Sequence, residues 1–161
     1  MLALEESRAY LEQLTRGSFL ISRSGDKTNI MTIGWGSFGY IWNRFVVMVP
    51  VRKTRYSYEL LKDEHFFTIA VPKKGEFSRQ LEFCGTNSGR DLDKIKELSL
   101  ILEEGTIPVP HMKEVQFNLE CRILYKEEIN PDNLQGQINL EYYPKEDYSV
   151  MLYAEIINII K

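Results

Sequence analysis

Apolar residues recur at helical spacing at the start of the chain. Leu4, Ala9, Leu11 and Leu14 stand among charged neighbours, which predicts a half-buried helix over residues 3–15. Gly17 fits its C-cap. The period then changes. Phe19-Leu20-Ile21 begins a strand, Ser24-Gly25-Asp26-Lys27 supplies a turn, and a second strand follows near 28–34. The continuous run from Phe45 to Val49 reads as a strand covered on both faces. Thr54 is placed to cap a helix through Tyr58, Leu60 and Leu61. Phe66 to Val71 reads as another buried strand, stopped by Pro72. Short helices are expected around 76–83 and 91–98, and Pro108-Val109-Pro110 marks an extended connection.

From Val115 the pattern has period two. Val115, Phe117, Leu119, Cys121, Ile123 and Tyr125 alternate with mostly polar residues, so one face should be buried and the other open. A polar stretch through 130–147 precedes the last strand, Val150 to Ile160. Long strands with short helices at the margins predict a mainly β chain closed into a barrel, since closure removes open edges. No repeat or linker divides the sequence, so one domain over 1–161 is expected.

Composition narrows the class. A chain of 161 residues buries roughly 70% of its unfolded surface and needs no metal or disulfide staple. With 20 basic and 23 acidic residues the net charge is −3, which argues against non-specific nucleic-acid binding. Cys84 and Cys121 are the only cysteines and lie far apart, which favours a reducing compartment. Two cysteines and two histidines provide no zinc-type spacing. The opening Met1-Leu2-Ala3-Leu4-Glu5-Glu6 reads as neither a leader nor an anchor. The longest apolar stretch, Phe45 to Val51, is far short of a bilayer span. A cytoplasmic location is expected.

Three segments hold polar and glycine residues that a plain core does not need. The first is Asn29-Ile30-Met31-Thr32-Ile33-Gly34-Trp35-Gly36-Ser37. Its glycines allow a flat ligand to approach the backbone, and Trp35 offers a rigid face. Taken alone, it reads first as a strand ending in a tight turn with a packed tryptophan. The second is Arg52-Lys53-Thr54-Arg55-Tyr56-Ser57. Guanidinium forks with interleaved hydroxyls at a helix start suit a phosphate monoester. A solvated basic loop is the alternative. The third is Cys84-Gly85-Thr86-Asn87-Ser88-Gly89-Arg90-Asp91. It can form an anion-cradling nest; taken alone, it reads as a helix–loop–helix corner with Asp91 as N-cap. The GxGxxG and GxxxxGK[ST] spacings are absent. Cys84 has no histidine nearby in sequence and is expected to be structural or ligand-lining. Cys121 belongs to the core, and neither His65 nor His111 has an identifiable acid partner.

Together these words resemble the flavin reductase-like family with an FMN-binding split barrel, above all its flavoredoxin-type branch. The matching runs are Asn29 to Gly36, then Arg52-x-x-Arg55-Tyr56-Ser57-Tyr58-Glu59-Leu60, then Phe83-Cys84-Gly85-Thr86-x-Ser88-Gly89-Arg90-Asp91. Val109-Pro110, Leu119-Glu120-Cys121, Tyr142-Tyr143 and Asp147-Tyr148 agree in order. The resemblance implies a Greek-key-type split β-barrel with short peripheral α-helices, a homodimer, and one FMN per subunit near the interface.

It further implies that Asn29, Ile30, Met31, Thr32 and Trp35 line the isoalloxazine ring. Arg52, Thr54, Arg55 and Ser57 would hold the phosphate and ribityl chain, with Cys84, Gly85, Thr86, Ser88, Gly89 and Arg90 closing the site. Arg52, Arg55 and Arg90 are expected to converge on the phosphate. No catalytic side chain is expected, because a flavin carries its own redox chemistry. Two departures stand out. Phe45 replaces a proline common in relatives, a change expected to alter only how the strand begins. Residues 147–155 hold no histidine and Ala154 replaces a glycine, so the resemblance leaves the electron donor open between NAD(P)H and a redox protein. The expected function is an FMN-dependent oxidoreductase or electron carrier exchanging electrons with NAD(P)H or a redox protein. The alternatives are an NAD(P)H:flavin oxidoreductase that releases reduced FMN, and a non-enzymatic FMN-binding protein.

Overall fold

The structure is a computed structural model, and it describes residues 4–161. The first residue of the expected helix, and Met1 to Ala3 of the opening read for a leader, lie outside the described residues.

Helix α1 (Leu4–Leu14) precedes a hairpin of β1 (Ser18–Ser24) and β2 (Lys27–Ile33). Gly25, at φ +59°, opens its two-residue turn. A second hairpin joins β3 (Ser37–Ile41) to β4 (Arg44–Arg52). Then come α2 (Tyr56–Leu61), β5 (Phe66–Val71), α3 (Ser78–Thr86), α4 (Lys94–Glu97), and the short β6 (Leu102–Glu103) and β7 (His111–Met112). The chain closes with β8 (Phe117–Glu128), α5 (Gly136–Tyr142) and β9 (Ser149–Ile160).

Seven strands form one antiparallel sheet in the order β2-β1-β5-β8-β9-β4-β3, with β6 and β7 as a separate pair. The sheet curls around one core. Met31 and Ile33 of β2 share a cluster with Val47, Val49 and Val51 of β4 and Leu152 of β9. Tyr10 and Leu14 of α1 enter the same cluster. No ladder joins β2 to β3 among the described residues, so the expected closure is incomplete and the barrel is split. Past the β3 partner of Met48, β4 runs on through Pro50 to Arg52 beside β9 alone. A second apolar layer sits outside the sheet, where Phe19, Ile21, Ile30 and Ala70 pack under Leu81, Cys84, Ile107, Val109 and Met112.

Several local expectations change. Ser37, read as the end of a turn, opens β3, whose residues 38–41 carried no expectation, and part of the polar stretch 130–147 folds as α5. Arg55, not Thr54, is the N-cap residue of α2 and makes no side-chain cap bond. Asp93, not Asp91, caps α4 through Lys96 N. The expected burial of β4 on both faces is not reached: Val47, Val49 and Val51 are buried on one face, but Phe45 at its start is exposed and Met48 and Pro50 on the other face are half-buried. In β8 both faces are buried from Phe117 to Cys121, because Asn118 donates to and accepts from Met112 while Glu120 accepts from Thr106. A register shift between Ile123 and Tyr125 then turns Tyr125 outward, against the period-two pattern.

Candidate functional site

Two adjoining clefts open where the ladder fails to close. The first, about 480 Å³, lies between the end of β4, the start of α2 and the loop after α3. Asn29, Met31, Thr54, Arg55, Ser57, Cys84, Thr86, Ser88, Gly89 and Arg90 of the expected set line it. The second, about 670 Å³, follows the end of β2 across the split. Met31, Thr32, Trp35, Arg52 and Arg55 line it, with Ile33, Gly34, Pro50 and Ser149. Met31 and Arg55 belong to both, so the clefts form one continuous depression.

Two expected residues stand apart. Ile30 is fully buried in the outer apolar layer, because period two turns its side chain away from that of Met31. Gly85 lines neither cleft; its carbonyl accepts from Arg55 Nη1 at 3.3 Å.

The first cleft is tightly built. Asn29 Nδ2 donates to Ser57 Oγ at 2.9 Å, tying β2 to α2 beneath it. Gly89 packs directly on that pair: an added Cβ would stand 2.2 Å from Asn29 Oδ1 and 2.6 Å from Tyr56 Cδ1. The loop turns through Arg90 N to Ser88 Oγ (3.2 Å) and Asp91 N to the Ser88 carbonyl (3.1 Å).

The three arginines do not converge on a single point. Arg52 lines the second cleft only, and its Nη1 lies 2.8 Å from Asp147 Oδ1. It also donates to the Tyr142 carbonyl at 2.6 Å and lies over the Tyr143 ring. Arg90 lines the first cleft only, donates to the Thr54 carbonyl at 3.0 Å and pairs with Glu59. The physical reason is local. Each of these guanidinium groups meets a carboxylate brought near by the fold, Asp147 before β9 and Glu59 on α2. Arg55 has no ion pair among the described residues and faces both clefts.

Lys94 was missed in the sequence reading. It is 3% exposed and lines the first cleft. Its Nζ donates to the carbonyls of Cys84 and Asn87, both at 3.2 Å, and meets no carboxylate among the described residues. Burial lowers its pKa below the usual 10.5; Cys84 opposes that shift and Arg55 adds to it. The sequence signal was present as the lysine three residues after Asp91, on α4 rather than in the glycine-containing run. Asn87 and Tyr56 also line this cleft.

Cys84 is buried, and burial pushes its thiol up to about 11, so at neutral pH it lines the cleft without being a nucleophile. Cys121 lies wholly in the core. His111 has an acid neighbour after all, Glu103 at 3.7 Å, on the separate β6–β7 pair. With hydroxyls, amides and two uncompensated cations, the first cleft can bind an anion. The second offers a flat wall and a strand end.

A family model described as flavin reductase like domain matches residues 11–135. An uncharacterized protein of Archaeoglobus fulgidus is 33% identical over 118 residues, 73% of this chain and 66% of that protein. Flavoredoxin from Methanosarcina acetivorans matches with a TM-score of 0.71 at 24% identity, over 90% of this chain and 67% of that chain. The FMN-binding domain of a flavin reductases-like enzyme from Shewanella baltica matches with a TM-score of 0.69 at 18% identity, over 98% and 74%. The chain thus spans about two thirds of the length of the Archaeoglobus relative. At these identities the solved structures speak for the split-barrel fold.

Proposed function

The chain belongs to the flavin reductase like domain family, and we propose that it is a flavoprotein holding FMN non-covalently across the two clefts for two-electron redox exchange. One observation carries this reading. Lys94 is a buried ammonium hydrogen-bonded to carbonyls alone, beside the unpaired Arg55, at the polar end of the depression. A buried cation without a counter-charge is electrostatically incomplete, and a phosphate dianion completes it.

Thr54, Ser57, Thr86, Ser88 and the main chain around Gly89 would add hydrogen bonds to the phosphate and ribityl chain. Met31, Thr32 and Trp35 would flank the ring in the second cleft, and Ile30 would take part through its main chain only. Arg52 would border the ring rather than the phosphate. When bound, FMN supplies the hydride and electron chemistry; the chain's own residues bind it, orient it and leave one side open at the split.

The whole described chain serves as one flavin-binding unit in this reading. A homodimer is supported by the aromatic cluster of Trp42, Tyr125 and Tyr153, of which Trp42 and Tyr125 are exposed. Both free cysteines are buried, in keeping with a reducing, cytoplasmic setting. Among the described residues no helix is long and apolar enough to cross a membrane.

The purified protein should be yellow and carry about one FMN per chain. A colourless protein that takes up no added FMN removes this reading. Anaerobic addition of NADH or NADPH then separates a carrier, which needs a redox-protein partner, from a reductase that turns over with added free flavin.

A further inference from the structure

Both tryptophans of the chain stand edge-on to a tyrosine whose phenol is bonded to a carboxylate. Trp35 and Tyr142 meet at 5.2 Å between ring centres, with their planes 89° apart, and the Tyr142 hydroxyl is hydrogen-bonded to the Glu141 carboxylate. Trp42 and Tyr125 meet at 6.4 Å and 72°, and the Tyr125 hydroxyl donates to Glu127 Oε2 at 2.7 Å. Indole and phenol are among the side chains that give up one electron most readily in water. A phenol does so only when its proton leaves as well, and a carboxylate that already holds that proton in a hydrogen bond is placed to take it.

The two sets differ in position. Trp42 and Tyr125 belong to the face proposed for the dimer. Trp35 lines the second cleft and is 46% exposed, while Tyr142 beside it is 38% exposed, so this pair leads from the cleft to surface water. Both ends are held. The chain after Trp35 is packed at Gly36, where an added Cβ would stand 2.6 Å from the Tyr10 hydroxyl. The Tyr142 carbonyl accepts from Arg52 Nη2 at 2.6 Å. Fixed rings in contact exchange an electron with little rearrangement. The cysteines do not compete, since both are buried and burial keeps the Cys84 thiol protonated.

We propose that Trp35 and Tyr142 form a radical-transfer pair, which carries an oxidising equivalent from the cofactor cleft to the surface while Glu141 takes the phenol proton. A one-electron oxidant in the cleft removes one electron from the Trp35 indole. Tyr142 returns one electron to that indole as its O–H bond breaks, and the proton passes to the Glu141 carboxylate. This leaves Trp35 intact, a tyrosyl radical at 142 and a neutral Glu141. A thiol or ascorbate in solution then gives a hydrogen atom to the phenoxyl oxygen, and Glu141 loses its proton to water. FMN excited by light would be one such oxidant, and that part rests on the function proposed above; the transfer itself rests on the rings and the carboxylate.

Pulse radiolysis of the full chain tests this, with azide radical as the oxidant. In a Trp42→Phe background Trp35 is the one tryptophan left. Its indolyl absorbance should decay as tyrosyl absorbance grows, at a first-order rate independent of protein concentration. Tyr142→Phe, which keeps the ring and the main-chain bond to Arg52, should slow that growth at least tenfold. Glu141→Gln should slow it severalfold, and Glu141→Asp should restore part of the rate. An unchanged rate in Tyr142→Phe, or a rate proportional to protein concentration, overturns the pair. An unchanged rate in Glu141→Gln overturns the proton transfer. A protein that shows the transfer but takes up no FMN loses the flavin reading and the pair's place beside it. One that binds FMN normally and shows no transfer loses only the pair.

Discussion

Arg52 Nη1 stands 2.8 Å from Asp147 Oδ1, so the first of the three arginines picked out by the sequence is neutralised within the chain itself. Its other guanidinium nitrogen holds the Tyr142 carbonyl. Arg52 thereby fastens the end of β4 to the segment between α5 and β9. Arg55, three residues on, has one long bond to a carbonyl and faces open cleft. Two arginines three residues apart have become one strut and one available cation.

That difference separates two substitutions. Arg55→Ala should weaken FMN binding by roughly 1.5–3 kcal/mol, about 10- to 150-fold, with little change in melting temperature. Arg52→Ala should do the reverse. It removes a partly exposed ion pair and two carbonyl bonds, for a loss of about 1–2 kcal/mol and a melting temperature lower by roughly 2–8 °C. Flavin fluorescence titrations and thermal melts of both variants decide it; equal FMN affinity in Arg55→Ala would count against the cleft.

Much of this was legible in the sequence because period and punctuation act locally. The β1–β2 hairpin, β5 and β9 follow from alternation, β-branched runs and turn residues. The cleft residues were legible as words whose glycines and hydroxyls have no use in a plain core. What escaped depends on contacts distant in the chain. The inward apolar phase ends at Ile123 because of a register shift against β9. Asn118 and Glu120 look solvent-facing until residues 106 and 112 fold over them. The carboxylates that claim Arg52 and Arg90 lie 95 and 31 residues away. Lys94 has the composition of a surface helix, and only burial under the 84–87 carbonyls gives it a role.

Lys94 also sets a pH dependence. Its folded pKa lies below the 10.5 of the unfolded chain, mainly through burial. The unfolded state therefore holds the proton to higher pH, and unliganded stability should rise with pH between the two values. A bound dianion favours the charged ammonium, so FMN affinity should fall as pH climbs through the free protein's Lys94 pKa. Lys94→Met should abolish both slopes, lower FMN affinity at neutral pH by about tenfold or more, and shift the unliganded melting temperature by only about 4 °C or less. Isothermal titrations from pH 7 upward would show it. An identical pH slope in the variant sinks the assignment.

Gly89 tests the shape of the cleft rather than its charge. A methyl group there would press on Asn29 Oδ1 and the Tyr56 ring, both held in place, Asn29 by its bond to Ser57. Gly89→Ala should therefore destabilise by about 1–3 kcal/mol through overpacking and weaken FMN binding as well. Gly136, whose added Cβ meets nothing within 4 Å, is the control: Gly136→Ala should leave both quantities nearly unchanged. Similar melting curves for the two variants would show that the loop yields and the contact is not limiting.

The proposed dimer is open to a substitution that separates folding from association. Trp42 and Asn43 turn the β3–β4 hairpin with φ of 53° and 59°, a left-handed pair that usually falls to Asn-Gly and is strained for a tryptophan. Its exposed ring meets Tyr125 and Tyr153 at 6.4 and 6.2 Å. The rest of the ring is exposed, which is where a second copy would cover it. Trp42→Gly relaxes the turn and removes the ring. If the cluster is the contact between copies, this variant should keep its far-ultraviolet spectrum and weaken dimerisation by about 2–4 kcal/mol, read by sedimentation velocity across a concentration series. A variant that sediments as the wild type does at every concentration would exclude this face as the interface.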